Sequence, residues 1–205
     1  MDEPGRGLHP ARRLWQALET LHAVIYFAPS VREASAAAGL RGFWMAYFAF
    51  RSAPLGPVRH GPVTALFAGF RPSMVARALP DAWGYVEPAG CVALRVEAAT
   101  HALRAAGVDE AACGEVTDRL ATVLEQLDPT GRPLAAANAD LPMPDDPVAR
   151  LWQTATTLRE HRGDGHVAAI VGAGLSGLEA HVLQARRSGI DPGDLQAARG
   201  SVWFG

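Results

Sequence analysis

Two stretches near opposite ends of this 205-residue chain resemble each other, and this internal repeat restricts the fold more than any other feature. LWQALETL at residues 14–21 aligns with LWQTATTL at residues 151–158. Further along, AAAGLRGFWMAYF at 36–48 parallels VGAGLSGLEAHVL at 171–183. Self-similarity of this kind indicates two copies of one supersecondary unit. We therefore expect a fold built from two related halves.

The hydrophobic pattern of both copies is helical. Leu14, Leu18, Leu21 and Ile25 recur at the three- to four-residue spacing of an amphipathic helix. Each copy continues through a short helix and a glycine turn into a further helix, which is the plan of a helix-turn-helix unit. The sequence predicts an all-α fold, or a mainly α fold with a small wing, in which duplicated helix-turn-helix-like units flank a helical middle segment. The expected boundaries are 10–80 for the first unit, 81–146 for the middle segment and 147–205 for the second unit.

Gly172, Gly174 and Gly177 match the glycine pattern of a dinucleotide-binding fingerprint. That fingerprint requires a strand before it and a second strand after its helix. The residues beyond Gly177 hold one helix and a tail rich in Gly and Pro, and the first copy has the same turn around Gly39. We therefore interpret Gly174 as a turn residue at positive φ and Gly177 as a site of close helix packing. No cofactor is expected.

Composition excludes several classes of protein. The net charge of −2 provides no global field that would attract nucleic acid or an anionic membrane. No apolar run reaches the 18 or so residues of a membrane helix, and the N-terminus is not typical of a signal peptide. Cys91 and Cys113 do not have the spacing of metal ligands. We expect a cytoplasmic protein with reduced thiols and no membrane partner.

The densest group of chemically active side chains lies in the second copy, around HRGDGH at 161–166. We expect these residues to straddle a glycine-bounded bend between helices at 147–161 and 166–187. In a pocket, His161 or His166 could act as a general acid or base, with Glu160 or Asp164 fixing its tautomer. The alternative is a buried network in which Arg162 pairs with Asp164. Both alternatives stay open at the level of sequence.

The first copy supplies further candidates for the same pocket. If the copies pack around a pseudo-twofold axis, the bend approaches the region around His22. The expected catalytic residues are His161, His166, Asp164 and Glu160. The expected ligand-binding residues are Glu19, His22, Tyr26, Tyr47, Arg51 and Arg162. The expected apolar walls are Trp15, Phe27, Trp44 and Phe48.

Two acid–histidine pairs have helical spacing suited to metal ligation. Glu19 precedes His22 by three residues, and Glu97 precedes His101 by four. Such pairs arise often by chance, since neighbours at these spacings share one helix face. We favour ordinary surface or interhelical roles for them and predict no metal site.

Four stretches carry a resemblance to a known family: LWQALETLHAVIYFAP, AGLRGFWMAYFAFRSAPLGPV, GRPLAAANADLPMP and LWQTATTLREHRGDGHVAAIVGAGLSGLEAHVL. Over roughly residues 11–188 the chain resembles an uncharacterised actinobacterial helix-turn-helix family. The resemblance implies a MarR-like winged-helix unit present in duplicate. It also implies a second wing after Arg199-Gly200, where this chain has only SVWFG, so we expect the second unit to lack a complete wing.

DNA binding is the less favoured of the functions that this resemblance suggests. The helix that follows the glycine turn of the first unit carries GFWMAYFAF, which would be costly to expose, so we expect it to be buried. In the second unit, Glu179 opposes phosphate contact, although Arg186 and Arg187 could favour it.

Three functional hypotheses follow. The first is a protein that binds a small molecule, or an enzyme using His, Asp and Glu in acid–base chemistry on an actinobacterial specialised metabolite. The second is a ligand-responsive helix-turn-helix transcription regulator. The third is a structural or partner-binding role in which the polar cluster only holds helices together. A homodimer is compatible with each of them.

Overall fold

The structure is a computed structural model that describes residues 9–187 and 189. Within these residues the regular structure consists of α-helices and two 3₁₀ turns, without strands. The predicted all-α fold is confirmed. The helices are α1 (Pro10–Phe27), α2 (Pro29–Ala37), α3 (Gly42–Ser52), α4 (His60–Leu66), α5 (Pro72–Ala78), α6 (Pro88–Ala105), α7 (Glu110–Glu125), α8 (Pro133–Ala139), α9 (Pro147–Gly172) and α10 (Gly177–Arg187), with 3₁₀ turns at Ala53–Leu55 and Asp81–Gly84.

The two glycine turns of the repeated stretches have the same geometry. Gly39 ends α2 with φ of 85°, and Gly174 ends α9 with φ of 68°. In each turn the residue after the glycine donates its backbone N–H to a carbonyl five residues earlier: Leu40 to Ser35 at 3.0 Å, and Leu175 to Ile170 at 3.1 Å. This pattern satisfies carbonyls at the helix end and requires a left-handed residue. The prediction for Gly174 is therefore confirmed.

The predicted bend at HRGDGH is wrong, because α9 runs without interruption for 26 residues from Pro147 to Gly172. Gly163 and Gly165 lie inside this helix, where each glycine disfavours the helix by roughly 1 kcal/mol relative to alanine. Packing of α9 against α1, α6, α7 and α8 outweighs that local preference. In the first half of the chain, by contrast, Pro29 begins a separate helix after Ala28, so α1 and α2 are distinct.

The core forms around the first half of α9. Val148, Leu151, Trp152, Ala155 and Leu158 are all buried there. A second group of apolar side chains, all aromatic, joins α3 to the segment around α4: Trp44, Tyr47, Phe48, Phe67 and Phe70. As expected from its sequence, α3 is largely buried, including Met45, Phe48 and Phe50.

The second half of α9 leaves the core and leads into α10. Val171 is 69% exposed, and Leu183 on α10 is 51% exposed. The axes of the two helices are bent by 108° at the turn around Gly174. Ser176 and Glu179 form a capping box at the start of α10: Ser176 donates its N–H to the carboxylate at 2.7 Å, and Glu179 donates its N–H to the Ser176 hydroxyl at 3.2 Å. The wing considered for the second unit falls on residues 190–205, outside the described residues.

No single described helix is both long enough and apolar enough to span a membrane. Only the bent pair α9 and α10, counted together, reaches that length and composition.

Candidate functional site

A buried ion pair joins the first half of the chain to α9. Arg51, near the end of α3, donates from Nε to Oε1 of Glu160 at 2.9 Å and from Nη2 to Oε2 at 2.7 Å. Arg51 is 8% exposed and Glu160 is 1% exposed. This two-point geometry matches the planar guanidinium to the planar carboxylate, which is the strongest form of such a pair. Arg51 and Glu160, both candidate residues from the sequence, are therefore in direct contact.

Further hydrogen bonds extend this ion pair into a network. Arg51 Nη1 donates to the Tyr47 hydroxyl at 2.7 Å. Arg159 donates to Oε2 of Glu160 at 3.2 Å and to Oε2 of Glu19 at 3.3 Å. Sequence analysis did not assign Arg159 to the site. Its position next to Glu160 in the helix was the only local signal for that role.

His22 forms the second part of the network, on α1. Its Nε2 lies 2.6 Å from the Tyr26 hydroxyl, and its Nδ1 lies 3.0 Å from Oγ1 of Thr156. The imidazole also stacks on Trp152, with the rings nearly parallel and their centroids 6.0 Å apart. Burial, and then the positive charge of Arg159, lowers the pKa of His22 well below its ordinary value of 6.5. The ring is therefore neutral at neutral pH.

Two acidic groups of this network, Glu160 and Tyr26, have pKa values shifted away from neutral pH, as expected for side chains with a structural role. Burial raises the pKa of Glu160, but the charges of Arg51 and Arg159 outweigh it and hold the pKa well below its usual range. Burial raises the pKa of Tyr26 above its ordinary value, against the opposing charge of Arg51. A general acid or base works best with a pKa near the operating pH. Glu160 and Tyr26 are both held far from that range.

The remaining residues of the predicted cluster point to different neighbours around α9. Nε2 of His161 lies 3.0 Å from the Asp128 carbonyl oxygen, and Arg162 lies over the Trp15 ring at 4.3 Å. Asp164 accepts the Ala135 N–H at 3.0 Å, and His166 is exposed. Burial raises the pKa of Asp164 and lowers that of His166.

Two expectations for the cluster are therefore corrected. The alternative in which Arg162 pairs with Asp164 is wrong, because Oδ2 of Asp164 accepts the Ala135 N–H, its Oδ1 has no hydrogen-bond partner among the described residues, and Arg162 lies over Trp15. Glu160, His161, Asp164 and His166 also do not converge on one point, because a continuous helix distributes successive side chains around its axis. Five of the residues expected to bind a ligand are part of the network around Glu160, and their role toward a ligand stays a prediction: Glu19, His22, Tyr26, Tyr47 and Arg51.

Arg95 is a second buried cation that sequence analysis missed. It donates from Nη1 to the Phe50 carbonyl at 2.8 Å and from Nη2 to Oδ1 of Asn138 at 2.7 Å. Burial lowers its pKa to about 10, so the side chain remains charged at neutral pH. The signal was present in the sequence: Arg95 lies between Cys91 and Ala99 on the apolar face of α6, where a charged residue must have buried partners.

A large concavity whose lining includes neither Arg51, Glu160 nor Arg95 lies along α6. It is a groove of about 1300 Å³ between α6, the 3₁₀ turn at Ala53–Leu55, the segment 141–146 and the start of α9. Its walls are mainly apolar and come from Pro54, Pro57, Trp83, Val92, Val96 and Leu141. The indole N–H of Trp83 donates to the Val58 carbonyl at 2.8 Å, which fixes the orientation of that ring.

Polar groups in the groove are mainly carboxylates. Glu87, Glu97, Asp145 and Asp146 line it, together with His101 and Arg104. Asp146 accepts hydrogen bonds from Val148 and Ala149 at the start of α9, and Arg104 donates to it at 2.6 Å. Glu97 and His101 thus lie in the groove and not beside Glu19 and His22. Among the described residues no three side chains of His, Cys, Asp or Glu are grouped as metal ligands.

The described helices, with the glycine turns at Gly39 and Gly174, form an all-α fold with a helix-turn-helix pattern. The chain belongs to a helix-turn-helix family, whose model matches residues 11–202. No curated protein matches the chain, and neither does any solved structure.

Proposed function

We propose that this protein binds a small, largely apolar molecule in the groove along α6. The supporting observation is the groove itself, with its volume of about 1300 Å³, its apolar walls and a few charged groups at its edges. Small-molecule sites in proteins are typically concave, mainly apolar and equipped with few polar groups that orient the ligand.

This proposal moves the ligand site away from the residues that the sequence favoured. None of Glu160, His161, Asp164 and His166 lines the groove. We therefore propose binding and not acid–base catalysis. The network around Glu160 joins α3 to α9. The chain after α3 and the first turn of α9 both contribute groove walls, so the network helps to fix the relative position of these walls.

A steric block tests the proposal. Ala93 is exposed on α6 and lines the groove, so Ala93→Trp should obstruct part of it without disturbing the core. The matched control is Ala111→Trp, at an exposed position on α7 outside the groove. The probe is Nile red, a neutral apolar dye whose fluorescence rises in apolar surroundings.

We expect saturable binding of Nile red to the wild-type protein and to Ala111→Trp, and a loss of at least about tenfold in affinity for Ala93→Trp, since the added side chain occupies the ligand's volume. Circular dichroism checks that all three proteins are folded. Absence of saturable binding to the wild type, or equal binding to Ala93→Trp, would refute the proposal.

A second candidate function is DNA binding through α10. It is supported by family membership and by the different exposure of α3 and α10, the helices that follow the turns at Gly39 and Gly174. α3 is unsuited to a DNA groove because its side chains are mostly buried, whereas on α10 only Ala185 is buried and the helix ends in the exposed residues Arg186 and Arg187. The MarR-like duplication and the actinobacterial origin implied by the resemblance are part of this candidate. Together with the groove it would give a ligand-responsive regulator.

Fluorescence anisotropy with a labelled random-sequence duplex at low salt tests this candidate. Non-specific affinity depends on phosphate contacts, so we expect binding that weakens with salt and is reduced by the double substitution Arg186→Ala, Arg187→Ala. The pair Arg12→Ala, Arg13→Ala on α1 is the charge-matched control. An equal loss of DNA affinity in both double variants would indicate a general electrostatic attraction and would contradict a specific role of α10 in DNA binding.

A further inference from the structure

We infer that the groove selects ligands carrying a positive charge, namely flat apolar molecules with a protonated amine or a delocalised cation. This inference rests on the proposed ligand site and adds the chemical class of the ligand to it. Its basis is the juxtaposition of apolar walls with an excess of carboxylates in one cavity.

The charges that line the groove are strongly unbalanced. Four carboxylates, those of Glu87, Glu97, Asp145 and Asp146, face one guanidinium, that of Arg104. Arg104 is already engaged, because it lies 2.6 Å from Asp146 and 2.9 Å from Glu110. It is therefore neutralised within the fold and offers little attraction to an anionic ligand.

The other three carboxylates are available to a ligand. Among the described residues, the side-chain carboxylates of Glu87, Glu97 and Asp145 accept no hydrogen bond and form no ion pair, and the one bond outside the helices that involves Glu87 is to its backbone carbonyl. Glu97 lines the groove together with Val92 and Val96, so a cation held by its carboxylate would have its apolar part close to apolar groove walls. An apolar wall reduces the water around such a pair and strengthens the attraction.

Trp83 favours the same class of ligand for an independent reason. Aromatic rings attract cations through the negative potential over the ring face, and tryptophan does so most strongly. The Trp83 ring lines the groove and is held in place by its hydrogen bond to Val58. A planar cation thus finds both a stacking partner and a counter-charge, whereas an anion of the same shape is repelled by the carboxylates.

A matched pair of dyes tests the inference. Rhodamine 6G is a cationic xanthene, fluorescein is an anionic xanthene with a similar ring system, and Nile red serves as the neutral reference. Binding of each dye to the full-length protein is measured by fluorescence anisotropy. We expect rhodamine 6G to bind at least about tenfold more tightly than fluorescein, with a preference that decreases as salt screens the carboxylates.

Variants that remove one carboxylate charge test which residues produce the preference for the cationic dye. Glu97→Gln and Asp145→Asn should each weaken rhodamine 6G binding by roughly two- to fivefold, the range for partly exposed ion pairs, and should weaken it more than they weaken Nile red binding. Glu125→Gln, an exposed position on α7 outside the groove, removes the same charge and should have no effect on either dye.

The outcomes separate the two proposals. If Nile red binds in a manner sensitive to Ala93→Trp but fluorescein binds as tightly as rhodamine 6G, the groove is a ligand site and the charge selectivity is refuted. If rhodamine 6G binding is unaffected by both Glu97→Gln and Asp145→Asn, the selectivity is likewise refuted. If no dye binds in a manner sensitive to Ala93→Trp, the ligand site itself fails and the inference with it.

Discussion

The buried ion pair between Arg51 and Glu160 makes a strong prediction about stability. Glu160→Gln keeps the size of the side chain but removes the only carboxylate within bonding distance of Arg51 in the described structure. Arg51 then remains buried without a counter-charge, and Arg159 keeps only its contact with Glu19. Breaking a buried ion pair by removing one partner typically costs about 3–5 kcal/mol. We expect a loss of this size in the free energy of unfolding.

Urea unfolding followed by circular dichroism measures this loss at pH 7. For a protein of this size, 1 kcal/mol corresponds to roughly 2–4 °C in Tm, so thermal unfolding should show a decrease of about 6–20 °C. The double variant Arg51→Met, Glu160→Met removes both charges, and we expect it to regain most of the loss because no isolated charge stays buried. The exposed pair of Arg119 with Glu115 provides the control: Glu115→Gln should change the unfolding free energy by less than about 1 kcal/mol. A decrease below about 1 kcal/mol for Glu160→Gln would mean that Arg51 is not held as a buried charge, and would refute the structural role assigned to the network.

Three other perturbations give distinct expected results. Burial holds the pKa of His22 below its ordinary value of 6.5, so below pH 6.5 the unfolded chain binds a proton that the folded chain excludes. The free energy of unfolding should therefore fall by up to about 1.4 kcal/mol per pH unit between pH 6.5 and 5. Urea titrations at several pH values measure this slope, and His22→Gln should reduce it. An unchanged slope would contradict a neutral buried His22. Gly114→Ala, at an open position within α7, should stabilise the protein by about 0.5–1 kcal/mol in thermal unfolding, and a destabilised variant would argue against the open space there. Gly174→Ala, at φ of 68°, should instead destabilise it by about 1–2 kcal/mol, and a neutral result would argue against the left-handed turn.

The sequence contained enough information for the helical class, for the turn at Gly174 and for the burial of α3. These depend on local preferences and on hydrophobic periodicity, which act over a few residues. The bend expected near Gly163 failed because glycine only weakly disfavours a helix, and tertiary packing of α9 overrides that preference.

The candidate sites were harder to predict for two physical reasons. A buried charge such as Arg95 or Arg159 looks like a surface residue in sequence, because its partners come from other helices. The groove is built from small apolar and proline residues in three separated segments, around Pro54, Val92 and Pro142. Wall residues of these types carry no chemical signature, the charged residues at the groove look like ordinary surface side chains in sequence, and only the packing of the helices brings them together.

The continuity of α9 has a mechanical consequence. Asp146 and Ala149 at its beginning line the groove, while its other end carries the turn into α10. At about 1.5 Å per residue, 26 residues form a rod of about 39 Å. A tilt of about 5° at the groove end would displace the distal end by about 3 Å. If α9 moves as a rigid rod, a small rearrangement beside a ligand in the proposed site would displace α10 by a distance comparable with the rise of two helical residues.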